Sequence, residues 1–392
     1  ITYIKLLIMN IVKKINDTWA CRILFFIIAF YVGLWTIRIP NIKDQLSIDY
    51  LGVGYLFFAF ALGSIVTMIF ASKIIKIFTP KIITLFVALL LNVLWLLIPF
   101  TTNFEIMLIF SSLFGCCYGI FEVIINLQAS IIEKRYQKSM MSTFHGFFSL
   151  GVLTGAFITS IFVEYQIHFF INVICYVIIL APIILICALT LVGEKADDKK
   201  KEQSIFFLWP LLLFILVLLS ISDALTEGGI DSWGSLYMRD FIKVEGFQIG
   251  LAAISFNIFM VIGRFTGDRV KDILGVYSFL ILLVSLSLIG ITILLNFNTL
   301  ILAIIGFAIV GYGSSSIVPI CYSLSASIKG VDSTVGITII SIAIYGVFMI
   351  APTIMGYIAN NFGINYVFSP IVVMFIISMV IIIIFKKEFK FK

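Results

Sequence analysis

Long apolar runs separated by short polar stretches dominate the chain. Each run has roughly 20 residues, and at about 1.5 Å per residue a helix of that length crosses a hydrocarbon core about 30 Å thick. We therefore predict an all-α membrane protein with twelve transmembrane helices. They are expected near residues 18–39, 50–72, 81–101, 104–132, 140–163, 166–192, 206–236, 246–266, 273–296, 298–326, 331–357 and 362–385.

The composition agrees with this pattern and excludes an ordinary soluble domain. Of the 392 residues, 62% are hydrophobic and 12% are charged, whereas soluble domains have about 45–50% and about 25%. The chain contains no phosphate-binding loop motif, and its six cysteines show no metal-type spacing. We therefore expect no cofactor, no metal site and no enzymatic activity of the ATP-hydrolysing or zinc-dependent kind.

The basic residues indicate how the chain is oriented in the membrane. If the N-terminus is cytoplasmic, only four of the 26 basic residues lie outside, namely Arg38, Lys43, Arg239 and Lys243. An excess of lysine and arginine in the inner loops is the usual rule for membrane proteins. We expect both termini in the cytoplasm of a bacterial-type inner membrane, and no nucleic-acid partner.

The two halves of the chain share a pattern. Trp35 and Arg38 come at the end of the first predicted helix, and Trp233 and Arg239 come at the end of the seventh. Such parallel repeats are typical of transporters that rock around a central site. We predict a six-helix half at 1–192, a charged cytoplasmic linker at 193–205 and a second six-helix half at 206–392.

A short motif at the end of the eighth predicted helix resembles a known family signature. The segment Gly263-Arg264-Phe-Thr-Gly267-Asp268-Arg269 resembles the loop signature of the major facilitator superfamily, and the copy after the second helix has Ser72-Lys73 in place of Asp-Arg. The twelve-helix layout extends this resemblance over essentially the whole chain. In that superfamily the loop gates the cytoplasmic side, which implies a gating role for Asp268 and Arg269.

Further segments are similar to the fucose-permease-like branch of that superfamily. They are Gly119-Ile-Phe-Glu122-Val-Ile-Ile-Asn126-Leu-Gln128-Ala129, Ser142-Thr-Phe-His145-Gly146 and Glu227-Gly228-Gly-Ile-Asp231-Ser-Trp233. In that branch an acidic residue usually stands directly before the tryptophan, whereas Ser232 intervenes here. The resemblance implies that Glu122 belongs to a proton and sugar site.

Glu122 also stands out on physical grounds. An ionisable side chain in the middle of a bilayer costs about 2.5–3.5 kcal/mol on insertion scales, so it needs a partner or a water-filled cavity. Asn126 lies one turn later on the same helix face. We predict that Glu122 carries a proton and that Asn126 contacts substrate, and a structural hydrogen bond between helices is the alternative.

Three acids on the seventh predicted helix form a second candidate site. Asp223, Glu227 and Asp231 follow one another at intervals of four, which places them along one stripe. If the helix starts near Phe206, Asp223 lies about 25 Å and Glu227 about 31 Å along it, in the outer half of the membrane. We predict proton coupling for Asp223 and Glu227.

The residues beside these acids lead to two structural expectations. Gly228 and Gly229 should weaken the helix and bend it at an extracellular gate. Asp231 should act as a solvated cap or form a salt bridge with Arg239 or Arg38.

The remaining substrate-binding candidates are aromatic and polar residues near the ends or centres of helices. Tyr31 and Trp35 share a face that suits a sugar ring, and Arg38 could hold an anion. Anchoring at the membrane interface is the alternative for all three. His145, Asn257 and Tyr345 complete the set of candidates.

These observations predict a secondary active transporter of a small polar, sugar-like solute, working by alternating access as a proton symporter and as a monomer in the lipid bilayer. A proton-coupled exporter of amphipathic compounds is the alternative, since 39 phenylalanines would suit an apolar cavity. Two alternatives from outside the transporter class are a receptor that does not transport and an intramembrane hydrolase. A hydrolase would need two carboxyls close enough to share a proton, which requires Glu122 to meet Asp223.

Overall fold

The computed structural model describes residues 16–136, 140–191, 208–325, 328–331 and 333–389. The predicted linker at 193–205 lies outside this part of the chain. All the long elements in the described ranges are helices. They are α1 (Asp17–Leu46), α2 (Tyr50–Ile77), α3 (Pro80–Leu97), α4 (Phe104–Tyr136), α5 (Met141–Glu164), α6 (Phe169–Thr190), α7 (Leu211–Tyr237), α8 (Leu251–Asn296), α9 (Leu300–Ser314), α10 (Ile317–Ser325), α11 (Ser333–Phe362) and α12 (Ser369–Ile384).

These helices provide twelve candidate membrane spans among the described residues, as the apolar runs predict. Two of the predicted boundaries differ. α8 carries two spans, because the helix continues through the predicted loop at 267–272 and turns only at Gly275, whose φ of 76° is accessible to glycine. α9 and α10 together form one span, Leu300–Ser325, which is interrupted at its centre.

The chain divides into two compact units. Unit 1 comprises Ile1–Ile48 and Ala59–Lys199, and unit 2 comprises Asp49–Phe58 and Lys200–Lys392. The first turns of α2 therefore belong to unit 2. There the Thr353 hydroxyl of α11 donates to the Gly54 carbonyl at 3.1 Å.

Unit 1 is held together by close approach of its helix backbones. α1 packs against α4, α5 and α6, and α3 packs against α4 and α6. Gly151 and Gly155 of α5 lie against the carbonyl oxygens of Phe26 and Phe30, with no room for a Cβ. Small residues at such contacts allow membrane helices to gain van der Waals packing, because the hydrophobic effect does not favour association within lipid.

Unit 2 surrounds α7. This helix packs against α10, α11 and α12, and its side chains Trp233 and Tyr237 are fully buried. α8 and α9 pack along their length, again through glycines such as Gly290 and Gly306. Several polar side chains on α7 are consequently buried, among them Ser220, Ser222 and Thr226.

We expect Gly115→Val to destabilise unit 1 by about 1–3 kcal/mol, the usual effect of overpacking. A Cβ at Gly115 of α4 would overlap the Phe60 carbonyl oxygen of α2. Thermal unfolding in detergent measures the effect. Gly146→Ala is the control, since a Cβ there meets nothing within 4 Å; equal losses of stability in both variants would contradict the packing explanation.

Candidate functional site

The acids of α7 lie nearer the start of their helix than the sequence predicts. α7 begins at Leu211 after Pro210, so Asp223 is about 18 Å and Glu227 about 24 Å from its start at 1.5 Å per residue. The span extends through a π-helical turn to Ile242. Both acids are therefore near the middle of this 32-residue helical span, and their placement in the outer half of the membrane stays a prediction.

Asp223 is the most deeply buried of these acids. Its side chain is 2% exposed, and its Oδ2 accepts a hydrogen bond of 3.4 Å from the backbone N–H of Val318, the second residue of α10. Ser314, the last residue of α9, lies beside the carboxylate. Asp223 Oδ1 and Ser314 Oγ are both buried and have no hydrogen-bond partner at close range among the described residues, and the Ser314 hydroxyl faces the carboxylate as a weak donor.

The interruption between α9 and α10 creates this environment. Pro319 would clash with the carbonyl of residue 315 in a continuous helix, so the chain restarts at Ile317. The Ser315 hydroxyl donates to the Tyr312 carbonyl at 2.7 Å, and the Ser316 hydroxyl donates to the Gly263 carbonyl of α8 at 3.4 Å. The break thus lies between α7 and α8.

Arg264 of α8 is the charged partner of this site. Its Nη2 lies 3.4 Å from Glu227 Oε1, and the two side chains are 25% and 29% exposed. Its charge also acts on Asp223 and Asp231. Sequence reasoning assigned Arg264 to an inner loop and missed it, although its position inside the apolar run 246–266 was a usable signal.

Asp231 does not form the predicted salt bridge. Arg239 pairs with Asp240 at 2.6 Å instead, and the Tyr50 hydroxyl donates to Asp240 at 2.8 Å. Asp231 Oδ1 is buried and has no hydrogen-bond partner in the described part of the chain. Its charged neighbours are Glu227 and Arg264.

The predicted bend at Gly228 and Gly229 is also wrong, because α7 is helical throughout this stretch. A Cβ on Gly228 would lie 2.7 Å from the Phe348 ring, and one on Gly229 would lie 2.9 Å from the Met355 Cε. The glycines therefore allow α11 to pack against the acidic stretch of α7. Their role in gating stays a prediction.

Unit 1 contains an aromatic and polar cluster around Tyr31. The Tyr31 hydroxyl donates to Asn92 Oδ1 at 2.8 Å, and its ring stacks on Trp95 at 5.6 Å between centroids. Trp35 meets Trp95 edge to face at 6.1 Å. Sequence reasoning selected Tyr31 and Trp35 but missed Asn92 and Trp95, which lie three residues apart on one face of α3.

Arg38 has a fully formed set of contacts within unit 1. The side chain is 3% exposed and donates to Asn172 Oδ1 and the Ile167 carbonyl, both at 3.1 Å, and to Asn41 Oδ1 at 3.2 Å. Its guanidinium also lies over the Phe169 ring. These contacts tie α1 to the start of α6, and binding of a solute anion stays a prediction.

Two other candidates in unit 1 are placed as follows. Glu122 is half-buried, and the Asn126 amide donates to the Glu122 backbone carbonyl at 2.9 Å. His145 is exposed, with its ring 5.4 Å from that of Phe25. Their proposed roles are not tested by these contacts.

The remaining candidates belong to unit 2. The Asn257 amide donates to the Ala253 carbonyl of its own helix at 2.9 Å, and the Tyr345 ring is 6.3 Å from that of Phe348. Arg269 is exposed on α8, and the side chain of Asp268 lies outside the described part of the chain. Their predicted roles likewise stay predictions.

Sequence comparisons identify the family. The profile described as Major Facilitator Superfamily matches residues 21–241 and 212–390. The chain belongs to the major facilitator superfamily. This confirms the predicted superfamily, and the chain is accordingly a multi-pass integral membrane transporter rather than an enzyme. Its assignment to the fucose-permease-like branch stays a prediction.

Relatives and solved structures agree with this assignment. Membrane protein MosC of Rhizobium meliloti is 30% identical over 90% of this chain and 86% of its own length. An uncharacterised MFS-type transporter of Yersinia pestis is 27% identical over 91% and 92%. The crystal structure of the nucleoside transporter NupG has a TM-score of 0.72 at 14% identity, covering 96% of this chain and 100% of that one. This last likeness concerns the fold alone.

We expect Glu227 and Arg264 to stabilise unit 2 jointly. A double-mutant cycle with Glu227→Gln and Arg264→Gln should give a coupling energy of about 1 kcal/mol in thermal or denaturant unfolding. The pair Asp17–Arg135, 2.7 Å apart with side chains 11% and 42% exposed, is the comparison pair and should couple by about 0.5–1 kcal/mol. Additive effects at Glu227 and Arg264 would contradict the pairing.

Proposed function

We propose that this transporter is a proton symporter that takes up a small polar, sugar-like solute by alternating access. It would act as a monomer in a bacterial inner membrane, with both termini in the cytoplasm. The observation that carries the proposal is the position of Asp223, which is 2% exposed near the middle of its span and lies close to the Glu227–Arg264 pair.

The charges of this site favour coupling to protons. In the described part of the chain, Arg264 is the basic neighbour of Asp223, Glu227 and Asp231. Uncompensated charges inside a membrane are expensive, so a site with more carboxylates than cations is stabilised by taking up a proton. A proton on Glu227 would weaken its pair with Arg264 and free the guanidinium to neutralise another acid of α7.

The cluster around Tyr31 supports a sugar-like solute. Trp35 is the part-exposed member of this cluster, and Tyr31, Asn92 and Trp95 are buried and hold it in place through ring contacts and the Tyr31–Asn92 hydrogen bond. Aromatic side chains combine an apolar face with polar edges, which suits a ring that carries hydroxyl groups. In this mechanism Glu122 is a second proton-carrying acid, and Asn126, His145, Asn257 and Tyr345 contribute further polar contacts.

Purified protein in liposomes that contain a pH-sensitive dye tests the proposal. Sugars, small carboxylates and cationic amphiphiles are added in turn, and internal pH and solute uptake are followed together. We expect one sugar class to acidify the interior. Asp223→Asn and Glu227→Gln should each reduce this acidification at least tenfold, whereas Glu164→Gln, at an exposed acid that ends α5, should not.

The same assay identifies the outcomes that would contradict the proposal. Solute uptake at an unchanged internal pH would rule out proton coupling. Exit of an amphiphile from the vesicles in exchange for entering protons would establish the exporter instead. Loss of coupling in Glu122→Gln but not in Glu227→Gln would move the coupling site to α4.

A further inference from the structure

We propose that a cavity beside Arg38, at the turn between α5 and α6, binds an oxyanion that carries one negative charge. The cavity has a volume of about 380 Å³ and lies within unit 1. Its polar lining residues include Arg38, Asn41, Gln45, Gln166 and His168. None of the four described side chains of the cluster around Tyr31 lines it. The anion site is therefore separate from the proposed sugar contacts and does not depend on which solute is carried.

The charge of Arg38 has no counterion among the described residues. Its side chain is 3% exposed, and its three hydrogen-bond acceptors, on Asn172, Asn41 and the Ile167 backbone, are all neutral oxygens. No carboxylate of the described ranges lies within 4 Å of the guanidinium, whereas Arg264 in unit 2 has an acid at this distance. Arginines are almost never fully buried unless they are paired, because an uncompensated buried charge is unfavourable. A negatively charged ligand would supply the missing partner.

The helices and the turn around Arg38 offer no acid in its place. The ionisable group whose charge acts on Arg38 is the phenol of Tyr176 on α6, and a phenol is neutral at pH 7. The exposed acids Asp44 and Glu164 lie close in sequence to the lining residues, but neither lines the cavity. His168 does line it, and its Nδ1 accepts a hydrogen bond from a backbone N–H at 3.2 Å. The neutral ring therefore carries its proton on Nε2, which is a second donor for an anion.

The guanidinium of Arg38 retains N–H groups that can bind a ligand. Arginine has five of them, and the three hydrogen bonds use one each on Nε, Nη1 and Nη2, which leaves one on each Nη. The Phe169 ring lies over Cζ at 5.2 Å from its centroid, and a ring in this position does not occupy the N–H groups in the guanidinium plane. Two N–H groups of arginine match two oxygens of a carboxylate or a phosphate group. One positive charge among neutral groups favours an anion with a single charge.

Two sources of such an oxyanion fit the location of the cavity. The turn joins the span that ends at Glu164 to the span that begins at Phe169, so it lies at one face of the membrane. Dissolved carboxylates and the phosphodiesters of lipid headgroups are both present there. Their shared chemistry is a singly charged group with two available oxygens.

Thermal unfolding of the purified full chain in an uncharged detergent, without solute, tests the site. Sodium acetate or sodium dimethyl phosphate replaces sodium chloride at constant pH and ionic strength. We expect the Tm to rise with either oxyanion and to saturate, because a ligand that binds only the folded state stabilises it. Chloride cannot offer two oxygens and should bind at least tenfold more weakly.

A lipid arm of the same experiment distinguishes the two sources. Short-chain phosphatidylglycerol is added to the micelles, with a diacylglycerol of the same chain length as the control without phosphate. Saturation by phosphatidylglycerol at concentrations where dimethyl phosphate has no effect identifies a lipid headgroup as the ligand. Saturation by acetate and dimethyl phosphate, with no further gain from the lipid, identifies a dissolved anion.

An isosteric variant supplies the missing charge from the protein itself. The Asn41 amide oxygen lies 3.2 Å from Arg38 Nη1, so Asn41→Asp places a carboxylate against the guanidinium at an exposed position that tolerates the change. We expect a higher Tm than wild type without oxyanion and an affinity for oxyanions at least tenfold weaker. Asn361→Asp is the matched control, at an exposed asparagine of α11 in unit 2, and should respond to oxyanions as wild type does.

Three results would overturn the proposal. They are a Tm of the wild type that ignores both oxyanions and the lipid, an equal rise with chloride, and an equal response in Asn41→Asp and wild type. Because solute is absent throughout, failure of the anion site is distinguishable from failure of the proposed transport.

Discussion

The arrangement of helices in unit 2 depends on the buried carboxylate of Asp223. A charged side chain in the middle of a membrane span needs compensating partners, and these come from three other helices. Val318 donates from α10, Ser314 lies alongside at the end of α9, and Arg264 contributes its charge from α8. The close approach of these helices depends on small residues, because a Cβ at Gly263 would overlap the Ser315 hydroxyl. The broken helix, the glycines and the arginine are therefore parts of one arrangement.

The most buried charged side chains of the two units differ in their hydrogen bonding. In unit 1, Arg38 makes three hydrogen bonds and covers the Phe169 ring. Hydrogen-bonded networks of this kind rigidify their surroundings, although Nδ2 of the partner Asn172 is buried and has no hydrogen-bond partner at close range among the described residues. In unit 2, Asp223 and Asp231 each keep one buried carboxylate oxygen without a hydrogen-bond partner at close range among the described residues. A buried carboxylate oxygen without a partner can take up a proton, which supports the proposed coupling through the acids of unit 2.

The sequence predicts most of the fold, and physical reasons explain where it fails for the site. Lipid offers no hydrogen-bond partners, so a spanning segment must form its backbone hydrogen bonds internally. Apolar runs of this length therefore predict the twelve helices correctly. The same constraint keeps α7 helical through Gly228 and Gly229, where packing against α11 replaces the expected bend. The position of Asp223 along α7 depends on where the helix begins, which is after Pro210. The apolar run extends past this proline in both directions and does not mark that start. Arg264 was missed because the orientation rule places every basic residue in a loop, where its side chain would be solvated.

The three acids of α7, Asp223, Glu227 and Asp231, have different partners. Asp223 accepts from a helix N-terminus and Glu227 pairs with Arg264, whereas Asp231 is influenced by the charges of Glu227 and Arg264. Acids four residues apart on a helix are separated by about 6 Å, so one guanidinium can pair closely with one carboxylate at a time. Any event that neutralises Glu227, a proton or a solute, changes which acid Arg264 stabilises. In the proposed mechanism this competition links proton binding by the acids of α7 to transport of the solute.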